Sequence, residues 1–169
     1  RIKASMDLSA LSKRDVALFV ERLDIHFDRL FEQYTHVYGH QYDCYFHLQQ
    51  LVQVLIEGFS KRKATLKKQD QTTLADPLWY RSENEAGMAC YVDLMGPTLN
   101  DLHDKVPYYK ELGITYLHLM PLYDAPEGDS DGGYAVSDYR KVNPTLGTTA
   151  DLEKLADALQ KEGIKLVLD

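Results

Sequence analysis

A glycine-rich acidic segment near the middle of the chain holds the residues best suited to chemistry. Between residues 121 and 134 it carries four carboxylates and an aromatic ring, from Asp124, Glu127, Asp129, Asp131 and Tyr134. Glycines at positions 128, 132 and 133 let the backbone turn sharply and approach a ligand closely. Carboxylates accept hydrogen bonds from paired hydroxyls, and a flat ring covers the apolar face of a pyranose. One interpretation of the segment is therefore a sugar-binding loop.

Two other interpretations of this loop stay open. Its four carboxylates could bind calcium, which prefers oxygen ligands in flexible loops, although their spacing departs from the EF-hand pattern. Alternatively, the loop is a turn-rich acidic segment whose Tyr134 only packs against the protein. A catalytic pair formed by Asp129 and Asp131 is not expected, because a flexible loop flanked by glycines cannot hold two carboxylates in a fixed geometry.

The loop belongs to an alternating pattern of strands and helices in the second half of the chain. Strands are predicted at residues 89–94, 114–120 and 164–169. Helices are predicted from Thr98 to Gly113, with a break at Pro107, and from Thr148 to Gly163. The order βαβαβ predicts a parallel sheet with right-handed crossovers, in which ligands bind at the carboxyl ends of the strands. The loop, over residues 121–147, leaves that end of the second strand, and we expect the site there.

The first half reads as packed helices. Ser12 and Asp15 resemble a capping box, and apolar residues at spacings of three and four follow as far as Tyr34. Asp43 is the predicted start of a second helix, with the basic run of residues 61–68 further along it, and Pro77 begins a short third element. We therefore predict a helical domain over residues 1–78 and an α/β domain over residues 79–169.

Composition excludes several classes of function. A formal net charge of −7 makes nucleic acid an unlikely partner, so the basic run is interpreted as the solvated face of a helix. The sequence has no run of 18 apolar residues, which predicts no membrane span. Cys44 and Cys90 show no metal-ligand spacing and are interpreted as free thiols, which agrees with a cytoplasmic location while leaving localisation open.

Several segments carry a resemblance to a known family. Residues 132–144 read GGYAVSDYRKVNP, followed by LGT at 146–148, which resembles the G-Y-x-x-x-D-Y…N-P-x-x-G-T block of glycoside hydrolase family 13, the alpha-amylase family. Within that family, the amylosucrase and sucrose hydrolase branch is the most similar, through PEGDSDGGY at 126–134, CYVDL at 90–94 and LHLMPL at 117–122. Gly132 stands where most alpha-amylases have a histidine.

The resemblance implies a fold and a set of residue roles. The fold would be a helical domain followed by the first βαβαβ portion of a (β/α)8 TIM barrel, truncated after the third strand, since a whole barrel needs ~250 residues. Tyr134 would be an aromatic platform under a sugar, and Asp131 would close the floor of the pocket with a later arginine. Asp138 would support the loop, and Asp169 would open the D-x-x-x-N-H motif of the family. His118, a lone histidine within a strand, is interpreted as a packing residue.

The resemblance also implies what the chain lacks. Retaining glycosidases use two carboxyl groups ~5 Å apart, and in this family they follow strands four and five. The expected function is thus the N-terminal portion of a retaining alpha-glucosyl transferase or hydrolase acting on sucrose or alpha-glucans. It would have no catalytic residue, metal or cofactor of its own and would be inactive alone. The alternative is a non-catalytic carbohydrate-binding or interaction module. An exposed sheet edge further predicts self-association.

Overall fold

The computed structural model describes residues 6–169, and contacts within the chain divide it into two compact units between Asp76 and Pro77. The first unit consists of three helices, α1 (Lys13–Tyr38), α2 (Cys44–Lys61) and α3 (Ala64–Ala75). Its core forms where the apolar stripes of α1 and α2 meet, at Phe19, Leu23, Val52, Ile56 and Phe59. Each of these two helices therefore buries its apolar face, as the periodicity of its sequence predicts.

The start of α1 is capped as predicted, but by half of a capping box. The Ser12 hydroxyl oxygen accepts a hydrogen bond from the Asp15 backbone N–H at 3.2 Å. The Asp15 carboxylate accepts a hydrogen bond from Lys67 Nζ at 2.9 Å, and the Ser12 side chain makes a smaller contribution to lowering the pKa of Asp15. This ion pair joins α1 to α3, and it lowers the pKa of Asp15 chiefly through the hydrogen bond from Lys67.

The predicted second helix was wrong at its C-terminal end. The chain leaves α2 at Lys61 and passes through extended backbone before α3 begins. Arg62 turns away to bind both carboxylate oxygens of Asp70, at 2.7 and 2.6 Å. The described residues of α3 include none that is buried, so no apolar stripe marks this helix in the sequence. A 3-10 turn over Trp79–Arg81 follows Pro77.

The second unit contains two small sheets. The first is parallel, with strand order β1 (Gly87–Cys90), β2 (Tyr116–Leu119) and β5 (Lys165–Leu168). The second is an antiparallel pair, β3 (Tyr123–Asp124) and β4 (Asp138–Val142). The helices between the strands are α4 (Val92–Met95), α5 (Leu99–Asp104), α6 (Val106–Glu111) and α7 (Thr149–Lys161).

The parallel sheet confirms the predicted βαβαβ order. Its register aligns Gly87 with Tyr116 and Lys165, and Ala89 with His118 and Val167. The strands are shorter than predicted. The first strand ends at Cys90, and the chain then makes the helical turn α4. Val92 therefore lies in a helical turn, where it is buried in the core, although valine favours strands.

One face of the parallel sheet packs against the helices. Leu117 and Leu119 of β2 are fully buried there, with fully buried leucines of the helices around them, namely Leu99, Leu102, Leu155 and Leu159. Because side chains alternate along a strand, Tyr116 and His118 lie on the opposite face. That face is only partly covered among the described residues, since Tyr116 is 38% exposed.

Helix caps in this unit follow the sequence closely. Thr98 with Asp101 and Thr148 with Asp151 each form a complete capping box. The Asp151 carboxylate also accepts a hydrogen bond from Asn100 Nδ2 in α5 at 3.0 Å, so one side chain caps α7 and joins it to α5. Within the described residues, no helix is long and apolar enough to cross a membrane.

Candidate active site

The tyrosine predicted as a sugar platform lies above the carboxyl ends of the parallel strands. The Tyr134 hydroxyl donates a hydrogen bond to Asp169 Oδ2 at 2.9 Å. Asp169 directly follows β5, and its backbone N–H donates to the carbonyl of Leu119, the last residue of β2, at 3.2 Å. The hydroxyl is thus tethered to the strand ends while the side chain stays 47% exposed. A ring held at one end and open to solvent has the geometry that stacking requires.

The electrostatics of Tyr134 follow from this contact. The hydrogen bond to Asp169 is the largest cause of a raised pKa for the Tyr134 phenol, followed by desolvation and by the charge of Asp169. Tyr91 and Asp131 raise this pKa further through their charges. The phenol therefore remains a hydrogen-bond donor at neutral pH, and Tyr91 and Asp131 are its electrostatic neighbours.

Asp131 lies in the same tight turn as Tyr134. Its backbone has a φ of 50°, in the left-handed region, and its carbonyl accepts a hydrogen bond from the Tyr134 N–H at 3.3 Å. Gly132 and Gly133 follow with φ of 68° and 92°. Three consecutive left-handed residues fold the loop back on itself, which glycine permits at low cost. The turn brings Asp131 near the Tyr134 ring without a side-chain bond between them.

Asp138 lies apart from these residues, at the start of β4. Its Oδ1 accepts a hydrogen bond from the Arg140 backbone N–H at 2.8 Å. The next residue, Tyr139, packs its ring on Tyr123 with centroids 5.9 Å apart. Asp138 thus takes part in the hairpin that anchors both ends of the loop. The sequence did not predict this hairpin, because β3 has two residues and so has no visible periodicity.

His118, which the sequence analysis interprets as a packing residue, lies close to the same carboxylate. Its Nε2 lies 3.5 Å from Asp169 Oδ2, the oxygen that also binds Tyr134. The two side chains come from adjacent strands, in which His118 pairs with Val167. Alternation along β2 could have identified His118, since it places the residue on the face opposite the buried leucines.

The calcium interpretation of the loop finds no ligand set. Among the described residues, no three histidine, cysteine, aspartate or glutamate side chains come together as metal ligands. Asp124 instead binds Lys141 Nζ at 3.0 Å, across the hairpin. Both cysteines are free thiols, and burial raises the pKa of Cys90.

Comparison with known proteins identifies the family. The family model described as the alpha amylase catalytic domain matches residues 29–169. Oligo-1,6-glucosidase of Heyndrickxia coagulans is 39% identical over 82 residues, which cover 47% of this chain and 14% of that protein. Trehalose synthase/amylase TreS of Mycobacterium tuberculosis is 35% identical over 100 residues, covering 56% of this chain and 16% of that protein.

Solved structures of similar proteins match about half of the chain. Trehalose-6-phosphate hydrolase of Bacillus licheniformis aligns with a TM-score of 0.47 and 28% identity, over 54% of this chain and 17% of that one. Trehalulose synthase MutB of Pseudomonas mesoacidophila aligns with a TM-score of 0.46 and 30% identity, over 51% of this chain and 16% of that one. The chain spans about a seventh of the length of the curated relatives, 14% for the glucosidase and 16% for the synthase. With the family model matching most of its residues, the chain belongs to the alpha-amylase family, glycoside hydrolase family 13.

Proposed function

We propose that this chain forms one wall of the glucosyl-binding pocket of an enzyme that transfers or hydrolyses alpha-glucosyl groups with retention. The observation that carries the proposal is the hydrogen bond from Tyr134 to Asp169, which holds an open aromatic ring over the carboxyl ends of parallel strands. Active sites of TIM-barrel enzymes lie at that end of the barrel. In a member of the alpha-amylase family, a tethered ring at this place is suited to the apolar face of glucose.

The proposed roles follow from the contacts. The Tyr134 ring is the platform, and Asp131 is the adjacent acceptor for sugar hydroxyls. Asp169 orients the platform through its carboxylate, and His118 lies beside the same oxygen. Asp138 positions the hairpin at the base of the loop. None of these groups is assigned as nucleophile or general acid, since retaining catalysis needs two carboxyl groups fixed ~5 Å apart.

The substrate we propose is sucrose or an alpha-glucan, in the amylosucrase branch of the family. Support comes from the segments at residues 90–94, 117–122 and 126–134, which resemble that branch. Relatives named for oligo-1,6-glucosidase and trehalose synthase activities support an alpha-glucoside more generally. We further propose that residues 1–78 are a helical domain and residues 79–169 the start of the catalytic barrel, and that the 169-residue chain has no catalytic activity by itself.

Substitution of Tyr134 tests the platform. We expect glucose and maltose to bind the chain weakly, with dissociation constants above ~1 mM, because one wall makes few contacts, and to shift the NMR resonances of Tyr134 and Asp169. Tyr134→Ala removes the ring and should abolish these shifts, whereas Tyr134→Phe keeps the ring and should retain most of them. Tyr42→Ala, at a fully exposed tyrosine of the first unit, is the matched control and should change nothing.

Two results would contradict the proposal. If saturating sugar leaves the Asp169 and Tyr134 resonances unmoved, the ring is not a platform. If the chain binds maltose at micromolar concentration through Tyr134, a non-catalytic carbohydrate-binding module becomes the better description.

A further inference from the structure

A cavity beside the proposed platform has no role in the function described so far. It lies within the second unit and has a volume of about 600 Å³, inside the roughly 300–1,000 Å³ of small-molecule sites. Three segments surround it: the residues after β1, the loop after β2 and the turn after β4. Its most informative lining residues are Tyr91, Asp93, Tyr123, Glu127, Asn143 and Thr145.

The charges in the lining restrict the class of ligand. Among the residues that the structure describes, no lysine, arginine or histidine lines the cavity, whereas three carboxylates do. One of these, Asp124, is occupied by its ion pair with Lys141. Asp93 and Glu127 form no hydrogen bond or ion pair through their side chains with any residue that the structure describes. Two unpaired carboxylates repel an anion and accept hydrogen bonds from hydroxyl groups.

The remaining lining suits a polyhydroxylated ring. Tyr91 and Tyr123 supply aromatic surface, and prolines at 121, 126 and 144 add apolar area. The Asn143 side-chain oxygen is occupied by the Thr145 N–H and hydroxyl, at 3.0 and 2.8 Å. Its amide N–H groups remain as donors. Acceptors, a donor and flat apolar surface together are what a pyranose needs for its hydroxyls and its carbon–hydrogen face.

The cavity adjoins the platform through the glycine turn. Gly132 and Gly133 line the cavity, and the next residue is Tyr134. The backbone approaches the cavity wall closely here, because a Cβ on Gly132 would lie 3.4 Å from the Tyr91 hydroxyl, and one on Gly133 would lie 3.0 Å from Pro121 Cβ. Tyr91 lines the cavity and is also close enough to Tyr134 to influence its ionisation.

We propose that this cavity is a second saccharide subsite, in which Asp93 and Glu127 accept hydrogen bonds from the hydroxyls of a neutral sugar unit while Tyr91 and Tyr123 contact its apolar face. The ligand class is a neutral oligosaccharide, which rests on the proposed function of the chain. A metal ion is the less suitable ligand, because the described part of the chain brings no three acidic, histidine or cysteine ligands together.

The experiment follows maltotriose binding to the whole chain by NMR, reading the cavity and the platform separately. The amides of Thr145 and Glu127 report on the cavity, and those of Tyr134 and Asp169 report on the platform. The double variant Asp93→Asn with Glu127→Gln should raise the dissociation constant read at the cavity about tenfold, since hydrogen bonds to charged groups are lost. Asp129→Asn, in the same loop but outside the cavity lining, is the matched control and should leave it unchanged.

The two proposals fail in different ways. If the platform amides shift and the cavity amides do not, the subsite is wrong and the platform stands. If the cavity amides shift in Tyr134→Ala as they do in the unaltered chain and the platform amides never shift, the subsite stands without the platform. Calcium chloride shifting the cavity amides when maltotriose does not would overturn the subsite, as would an unchanged dissociation constant in the double variant.

Discussion

At the scale of single residues, Asp169 contacts two other side chains of the candidate site. One of its oxygens accepts the Tyr134 hydrogen bond and faces the His118 imidazole. Tyr134 and Asp169 are 35 positions apart in the sequence, so no local pattern joins them. Their proximity became predictable only with the parallel topology, because the loop after one strand and the residue after its neighbour meet at the same end of the sheet.

Within the part of the chain that the structure describes, the hydroxyl of Tyr109, unlike that of Tyr134, is buried without a hydrogen-bond partner. Tyr109 is fully buried in the core of the second unit, and its hydroxyl has no hydrogen-bond partner among the described residues. Burial is the largest cause that raises the pKa of this phenol to about 12. A buried hydroxyl without a partner destabilises the folded state by ~1–3 kcal/mol.

Replacing Tyr109 with phenylalanine should therefore stabilise the protein. We expect the Tyr109→Phe free energy of unfolding to rise by about 1 kcal/mol at pH 7, measured by urea denaturation. The raised pKa of Tyr109 also determines how the free energy of unfolding changes with pH. Below pH 10.0 the phenol is neutral in both the folded and unfolded states; as pH rises from 10.0 toward 12 the unfolded chain ionises first, so the free energy of unfolding falls. The unaltered chain should lose stability relative to the variant in that window; parallel pH profiles would contradict the assignment.

At the scale of elements, the sequence was most informative where structure depends on neighbours in the chain. The predicted helix starts at Thr98 and Thr148, the break at Pro107 and the glycines that end α6 and α7 depend on residues within four positions. The elements that were missed depend on distant contacts. Helix α3 is held by charged pairs such as Lys67 with Asp15, and β3 exists because it pairs with β4.

The two kinds of helix cap give a prediction about α7 and α1. In the complete box of α7, Thr148→Ala removes bonds in both directions, and we expect a loss of about 1 kcal/mol in the free energy of unfolding. In α1, the main partner of the Asp15 carboxylate is Lys67 in α3. Ser12→Ala leaves this larger interaction in place and should cost less than Thr148→Ala, about 0.5 kcal/mol. Urea denaturation of both variants provides the comparison, and equal losses would contradict the distinction.

At the scale of the whole molecule, the parallel sheet has open edges. Among the described residues, β1 and β5 each pair with β2 alone. Val167 and Leu168 of β5 are 41% and 38% exposed. Unpaired strand edges with apolar neighbours are templates for pairing with another chain.

We therefore expect the chain to associate with itself at micromolar concentration. Sedimentation velocity should show dimers or larger species, and Val167→Lys should reduce them because a charged side chain on an edge strand opposes pairing. Val54→Lys, at an exposed position of α2, changes charge equally away from the sheet and should not reduce association. A monomer at all concentrations would show that the edges do not pair.

The carboxylate of Asp151 has a consequence for the order in which the second unit folds. Its bonds to Thr148 close a loop of three residues, whereas its bond to Asn100 spans 51 positions. Closing the short loop costs far less chain entropy, so the Thr148 bonds can form before the rate-limiting barrier and the Asn100 bond after it. Thr148→Ala should then slow refolding, and Asn100→Ala should mainly accelerate unfolding. Of the bonds made by the Asp151 side chain, those to Thr148 would thus be formed in the transition state and the one to Asn100 would not.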